Sequence, residues 1–148
     1  MGSPICVDAN VFVKVLVQEE HSDLARRHWE RWTIAEGRRV IVPTLFPYEV
    51  VAVLRRKVYQ GQLAPQDGSD AVDILLDANL ELVTASELHS RAWELAQRLQ
   101  RPTVYDAHYL ALAEMERCEF WTADGRLYHS VKDHFPLIRW LGESEESL

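Results

Sequence analysis

At 148 residues the chain has the length of one domain, and a domain of that size buries about 68–70% of the surface its unfolded form exposes. An apolar content of 47% with 26% charged residues is that of an ordinary globular protein and excludes a disordered class. Sixteen Lys and Arg against 23 Asp and Glu give a net charge of −7, which excludes a general nucleic-acid coat protein but not an enzyme that gathers its acids into one site.

Pro4 to Val7 reads as a short buried strand feeding a turn at Asp8-Ala9-Asn10. A short helix is predicted over Val11 to Val17, and a longer one, capped by Ser22 or Asp23, runs to about Glu36, where Gly37 stops it. Val40 to Val42 is a second strand closed by Pro43, and the next helix runs from about Thr44 to Gln60. Pro65 suits the first turn of a helix reaching about Ala78. Leu80 to Thr84 is the third strand. Ser86 caps a helix with Leu88, Ala92, Leu95, Ala96 and Leu99 on one face, and Thr103 caps another from about Val104 to Arg117. Glu119 to Thr122 is a fourth strand, ending at Ala123-Asp124-Gly125. A short helix near Leu127 and a strand from Leu137 to Trp140 complete the pattern, and the acidic tail Glu143 to Leu148 is expected to fray.

Short apolar strands alternating with amphipathic helices imply one α/β domain over residues 1–148, with a parallel sheet covered on both faces. Cys6 and Cys118 lie in apolar runs and are expected to be reduced. The histidines show no zinc-ligand spacing. No run of ~18 apolar residues predicts a membrane span, and no basic-then-apolar leader is seen, so the expected location is the cytoplasm.

In open parallel sheets ligands bind at the carboxyl ends of the strands. The strand ends of this chain are acidic. Asp8 ends the first and Asp124 the fourth, Glu49 opens the helix after the second, and Asp106 opens the helix before the fourth. Taken singly, Asp8 could be a helix cap, Asp106 the partner of Thr103 in a capping box, and Asp124-Gly125 a turn. Two of the acids resist that reading. Glu49 lies between Phe46 and Val50 in an apolar stripe, Asp106 lies on the side of Leu110 and Ala113, and no Lys or Arg sits close by on either stripe. An inward carboxylate costs several kcal/mol unless something positive meets it. A divalent cation would satisfy all four acids, and hard oxygen ligands favour Mg²⁺ or Mn²⁺ over zinc. Such a centre serves phosphoryl chemistry. There is no Gly-rich phosphate loop, no G-x-S-x-G elbow and no Cys–His pair placed for covalent catalysis. A phosphotransfer domain and a catalytically idle RNA- or protein-binding module are the alternatives. The first expects paired acids after the first strand and an Asp after the third, where this chain has Thr84-Ala85-Ser86; the second expects acids to be lost.

Four blocks resemble the PIN-domain ribonucleases of the VapC toxin type. Val7-Asp8-Ala9-Asn10, with Val13 to Leu16 and Glu20 to Ala25, resembles their opening. Pro43 to Val50, Val104 to Glu114 and Trp121 to Leu127 resemble their later blocks, in the same order along essentially the whole chain. The resemblance implies a three-layer α/β/α fold and endonucleolytic RNA hydrolysis by a metal-activated water, leaving 5′-phosphate and 3′-hydroxyl ends. It matches Asp8, Glu49, Asp106 and Asp124 to catalytic acids, with Asp8, Asp106 and Asp124 as metal ligands. Asn10 and Thr122 match supporting positions that hydrogen-bond within the site. Ala52 departs from the family, whose members often carry Asn three residues after the helix Glu. The implied partners are RNA, a cognate antitoxin and an identical subunit.

Two further expectations concern surfaces. Arg55, Arg56 and Lys57, with Arg38 and Arg39, are expected to border the acids and hold RNA phosphates; solvated helix faces are the alternative. Trp29 and Trp32, with Val50, Val51, Val53, Leu54 and Val58, offer more apolar surface than one face buries, which suggests a homodimer.

Overall fold

A computed structural model describes residues 2–146, with side chains described through residue 143. The strands are β1 (Ile5–Val7), β2 (Val40–Pro43), β3 (Leu80–Val83), β4 (Phe120–Thr122) and β5 (Ile138–Trp140). The helices are α1 (Ala9–Leu16), α2 (Ser22–Glu30), α3 (Leu45–Tyr59), α4 (Pro65–Asp77), α5 (Ser86–Arg98), α6 (Tyr105–Glu116), α7 (Gly125–Val131) and α8 (Leu141–Glu146). All strand pairings are parallel and the order is β3-β2-β1-β4-β5. The predicted α/β architecture is therefore the observed one.

The chain moves outward from β1 to β3, then crosses back to β4 and β5. Right-handed crossovers put the helices of these two movements on opposite faces. Phe120 and Trp121 show both faces of one strand: Phe120 stacks on Tyr109 of α6 at 5.4 Å, whereas Trp121 packs against Trp32 and His28 at 5.2 and 4.8 Å. Central strands β1, β2 and β4 are wholly buried, which is why they are continuous apolar runs without alternation. The reversal of winding falls between β1 and β4, and this is where such sheets form a crevice.

Several local expectations are corrected. The helix predicted from Ser22 to Glu36 is α-helical only to Glu30 and continues as a π-helical turn over Arg31–Ala35. There the Glu36 amide reaches back to the Arg31 carbonyl at 2.8 Å, and Gly37 ends the segment at φ +58°. Ser22 caps no helix; its buried hydroxyl accepts from the Glu19 amide and donates to the Val17 carbonyl, both at 2.8 Å. Neither Ser86 nor Thr103 is a cap, because α5 and α6 begin after Ala85 and Val104. The acidic tail from Glu143 runs into α8, with the Tyr128 hydroxyl donating to Glu143 at 2.9 Å, and residues 147–148 of that tail lie outside the described residues. Much of the apolar surplus assigned to a dimer face turns inward: Trp32, Val50 and Leu54 are core, while Val51 stays 40% exposed. Cys6 and Cys118 are free and buried. No described helix is long and apolar enough to cross a membrane.

Candidate active site

β1 delivers Asp8 to the carboxyl end of the sheet, where it precedes α1 as the N-cap residue but makes no side-chain capping bond. Its carboxylate is 7% exposed and turns toward β4, accepting from the Thr122 hydroxyl at 3.0 Å. Thr122 is the last residue of β4 and is wholly buried. Its oxygen also accepts from the Asp124 amide at 3.0 Å and from Asn10 Nδ2 at 3.4 Å. Asn10 Oδ1 in turn accepts from the Ala123 amide at 3.0 Å. One hydroxyl thus ties Asp8, Asn10 and the backbone of Asp124 together, using its donor and both acceptor positions.

Glu49 and Asp106 approach from α3 and α6. The Tyr109 phenol, one turn beyond Asp106, donates to Glu49 Oε1 at 2.6 Å. Asp106 Oδ2 accepts from Arg101 Nη2 at 3.3 Å, so the expectation that no cation stands near is corrected for this acid. Asp124 is the N-cap of α7, its Oδ1 accepting from the amides of Arg126 at 3.0 Å and Leu127 at 3.2 Å. All four acids line one cleft of about 360 Å³, together with Asn10, Lys14, Glu19 and Lys57.

Burial pushes the Asp8 carboxyl up to about 7, and repulsion from Asp106 and Glu49 adds to the shift, while the Thr122 hydroxyl and the backbone at Asn10 oppose it. Burial also raises Glu49; the Tyr109 hydrogen bond pulls against this and Asp106 adds to it. Both shifts favour the protonated carboxyl, and a hard cation would compete with the proton for the same oxygens. Carboxylate oxygens are the donors that Mg²⁺ and Mn²⁺ prefer. As the side chains stand, no three His, Cys, Asp or Glu among the described residues are gathered closely enough to hold an ion. Each of the four acids already accepts a hydrogen bond at one oxygen, from Thr122, Tyr109, Arg101 or the α7 amides.

The basic residues separate. Lys57 lines the cleft, where its Nζ lies 2.6 Å from Glu19 Oε2. Arg55 and Arg56 are exposed on α3 and do not line the acidic cleft; Arg55 lines a separate groove against α4 and lies over the Tyr59 ring at 5.7 Å. Arg38 and Arg39 do not border the acids. They precede β2 and so sit at the opposite end of the sheet, Arg38 donating to the Ser3 carbonyl at 2.9 Å and Arg39 pairing with Glu81 at 2.9 Å. Ala52 is exposed on α3 and does not line the cleft. Lys14, Glu19, Arg101 and Tyr109 were not anticipated. A signal existed for two of them: Lys14 lies one helical turn after Asn10, and Tyr109 is a polar tip on the apolar stripe of α6.

The PIN domain family model matches residues 5–132. Ribonuclease VapC9 of Mycobacterium tuberculosis is 30% identical over 133 residues, spanning 90% of this chain and 95% of the relative. Among solved structures, VapC20 of the same organism, described as a Sarcin-Ricin loop cleaving toxin, superposes with a TM-score of 0.64 at 18% identity over 88% of this chain and 95% of that one. A toxin–antitoxin complex from Klebsiella pneumoniae gives 0.64 at 17% identity, covering 93% of this chain and 97% of that one. By the family model and the sequence relatives, the chain belongs to the PIN domain family and, within it, to the VapC ribonucleases.

Proposed function

We propose that this chain is a Mg²⁺- or Mn²⁺-dependent endoribonuclease, a single domain acting as the toxin of a toxin–antitoxin pair. The observation that carries the reading is the convergence of Asp8, Glu49, Asp106 and Asp124, from four separate elements, on one cleft at the switch of the sheet. Asp8, Asp106 and Asp124 would hold the cation. The bound ion would lower the pKa of a water and offset charge developing on the scissile phosphate. Glu49, its carboxyl raised by burial and held by Tyr109, would orient a water beside the scissile phosphate and accept its proton. Asn10 and Thr122 fix Asp8 and the Asp124 backbone.

Lys14 and Lys57 face the same cleft and are the cations placed to hold phosphates flanking the cut. They replace Arg38 and Arg39 in that role, while Arg55 and Arg56 extend the track along α3. The likeness to VapC ribonucleases supports RNA as substrate and an antitoxin as partner, and the Klebsiella complex supports the latter on the same fold. A homodimer is the assembly we expect, using exposed apolar residues such as Val51. The decisive experiment incubates purified protein with a panel of structured RNAs and Mg²⁺ or Mn²⁺. Internal cuts that vanish with EDTA and in Asp8→Asn support the reading; cuts that persist in both sink it.

A further inference from the structure

Beside the acidic cleft lies a second groove, of about 510 Å³, at the carboxyl ends of β2 and β3. Thr44, Thr84, Ser86, His89, Tyr105 and His108 supply its polar lining. In a chain of net charge −7, none of the residues lining this groove is a carboxylate. The acidic cleft occupies the ends of β1 and β4, so the two depressions adjoin along one edge of the sheet. The first turn of α6 separates them. Asp106 faces the acids, while Tyr105 before it and His108 after it face the groove. Tyr105 is 62% exposed, an aromatic face open to an incoming ring.

The two imidazoles make a defined relay. The Val104 carbonyl, 2.6 Å from His108 Nδ1, can only accept, so that nitrogen carries a proton. In the neutral ring His108 Nε2 is then an acceptor, and His89 Nδ1, 2.9 Å away, must donate to it. The outward nitrogen, His89 Nε2, is left as an acceptor when its ring is neutral and as a donor when it is charged. It is therefore equipped for a ribose hydroxyl or the amino edge of a base.

Resting on the reading of the cleft as a ribonuclease site, we propose that this groove is a nucleotide subsite. It takes an unpaired nucleotide of the RNA, next to the scissile phosphate, by stacking its base on Tyr105 and meeting its polar edge with His89. Three observations favour single-stranded RNA as occupant: the groove continues the edge that holds the acids, it lacks the carboxylates that would repel phosphates, and it pairs an open aromatic face with hydrogen-bonding groups.

The test uses the full chain carrying Asp8→Asn to suppress cleavage, and a labelled single-stranded RNA of about eight nucleotides read by anisotropy. Tyr105→Ala should raise Kd roughly 5- to 150-fold, the span for losing one base stack, and Tyr105→Phe should restore it. Moving an abasic ribonucleotide along the RNA should weaken binding at one position, and that penalty should disappear in Tyr105→Ala. An unchanged Kd, or an abasic penalty that survives in Tyr105→Ala, overturns the subsite. So does light scattering in which Tyr105→Ala dissociates a dimer without altering the abasic profile, since the groove then holds a second copy. RNA bound through Tyr105 but never cut by the unmutated protein with Mg²⁺ or Mn²⁺ would instead sink the reading of the acidic cleft.

Discussion

The Thr122 hydroxyl donates to Asp8 Oδ2 at 3.0 Å across the β1–β4 junction, and the same oxygen accepts the Asp124 amide at 3.0 Å. A single side chain thus touches both strand ends of the acidic cleft. Thr122→Val keeps the shape and removes the hydroxyl, leaving Asp8 buried without its donor and the Asp124 amide without its acceptor. RNA cleavage should fall roughly 10- to 100-fold, as for loss of a hydrogen bond to a charged group, and Thr122→Ser should recover most of it. A Thr122→Val enzyme with full kcat/KM would remove Thr122 from the site.

Asp8 links the site to stability. Its carboxyl sits at about 7 in the folded chain against an ordinary 3.8. Between those values the folded state holds a proton that the unfolded state has released, so stability without metal falls as pH rises through that window. Above about 7 the penalty is complete. Asp8→Asn should therefore raise stability in EDTA at pH 8 by about 1–4 kcal/mol, and by little near pH 4.5. Thermal melts of both proteins across pH, in EDTA, check this; parallel Tm curves would show that Asp8 carries no such penalty. Added Mg²⁺ should stabilise the unmutated protein more at pH 8 than at pH 5.5, since proton and ion compete for the same oxygens.

Asp8, Glu49, Asp106 and Asp124 were legible as a group because they come after strands or open helices, and parallel topology gathers strand ends at one edge. The strands themselves were legible because burial on both faces writes unbroken apolar runs such as Ile5-Cys6-Val7. The features that stayed hidden depend on which partner a side chain meets, near or far along the chain, and spacing does not specify that. Ser22 looks like a helix cap but bonds Val17 and Glu19, and Trp32 looks like surface but stacks against Trp121. Arg38 and Arg39 precede a strand and therefore lie at the end of the sheet away from the acids, a constraint the parallel topology already contained.

Glu49 depends on Tyr109, whose phenol donates at 2.6 Å from a buried position on α6. That bond pulls the Glu49 carboxyl down against burial and Asp106. Tyr109→Phe should leave Glu49 higher still, so the acid limb of the pH–rate profile should move to higher pH. Activity at pH 7 should drop roughly tenfold. A uniform loss with an unmoved limb would mean that Tyr109 acts only through packing on Phe120.

Charge placement makes the last test directional. Lys57 and Lys14 share one carboxylate, Glu19, at 2.6 and 3.5 Å, and all three line the acidic cleft. Glu19 thus competes with incoming phosphates for the two lysines. Lys57→Glu should raise KM for RNA about tenfold and flatten the logarithmic salt dependence by ~0.7, the slope for one single-strand phosphate contact. Glu19→Gln should do the reverse, lowering KM, because it frees both lysines. Arg38→Glu should leave KM alone and lower Tm, since Arg38 holds Ser3 and Glu119 at the far end of the sheet. Steady-state kinetics from about 50 to 300 mM salt separate the cases. If Arg38→Glu raised KM as much as Lys57→Glu, the RNA would have to reach both ends of the sheet, not only the carboxyl end where the acidic cleft lies.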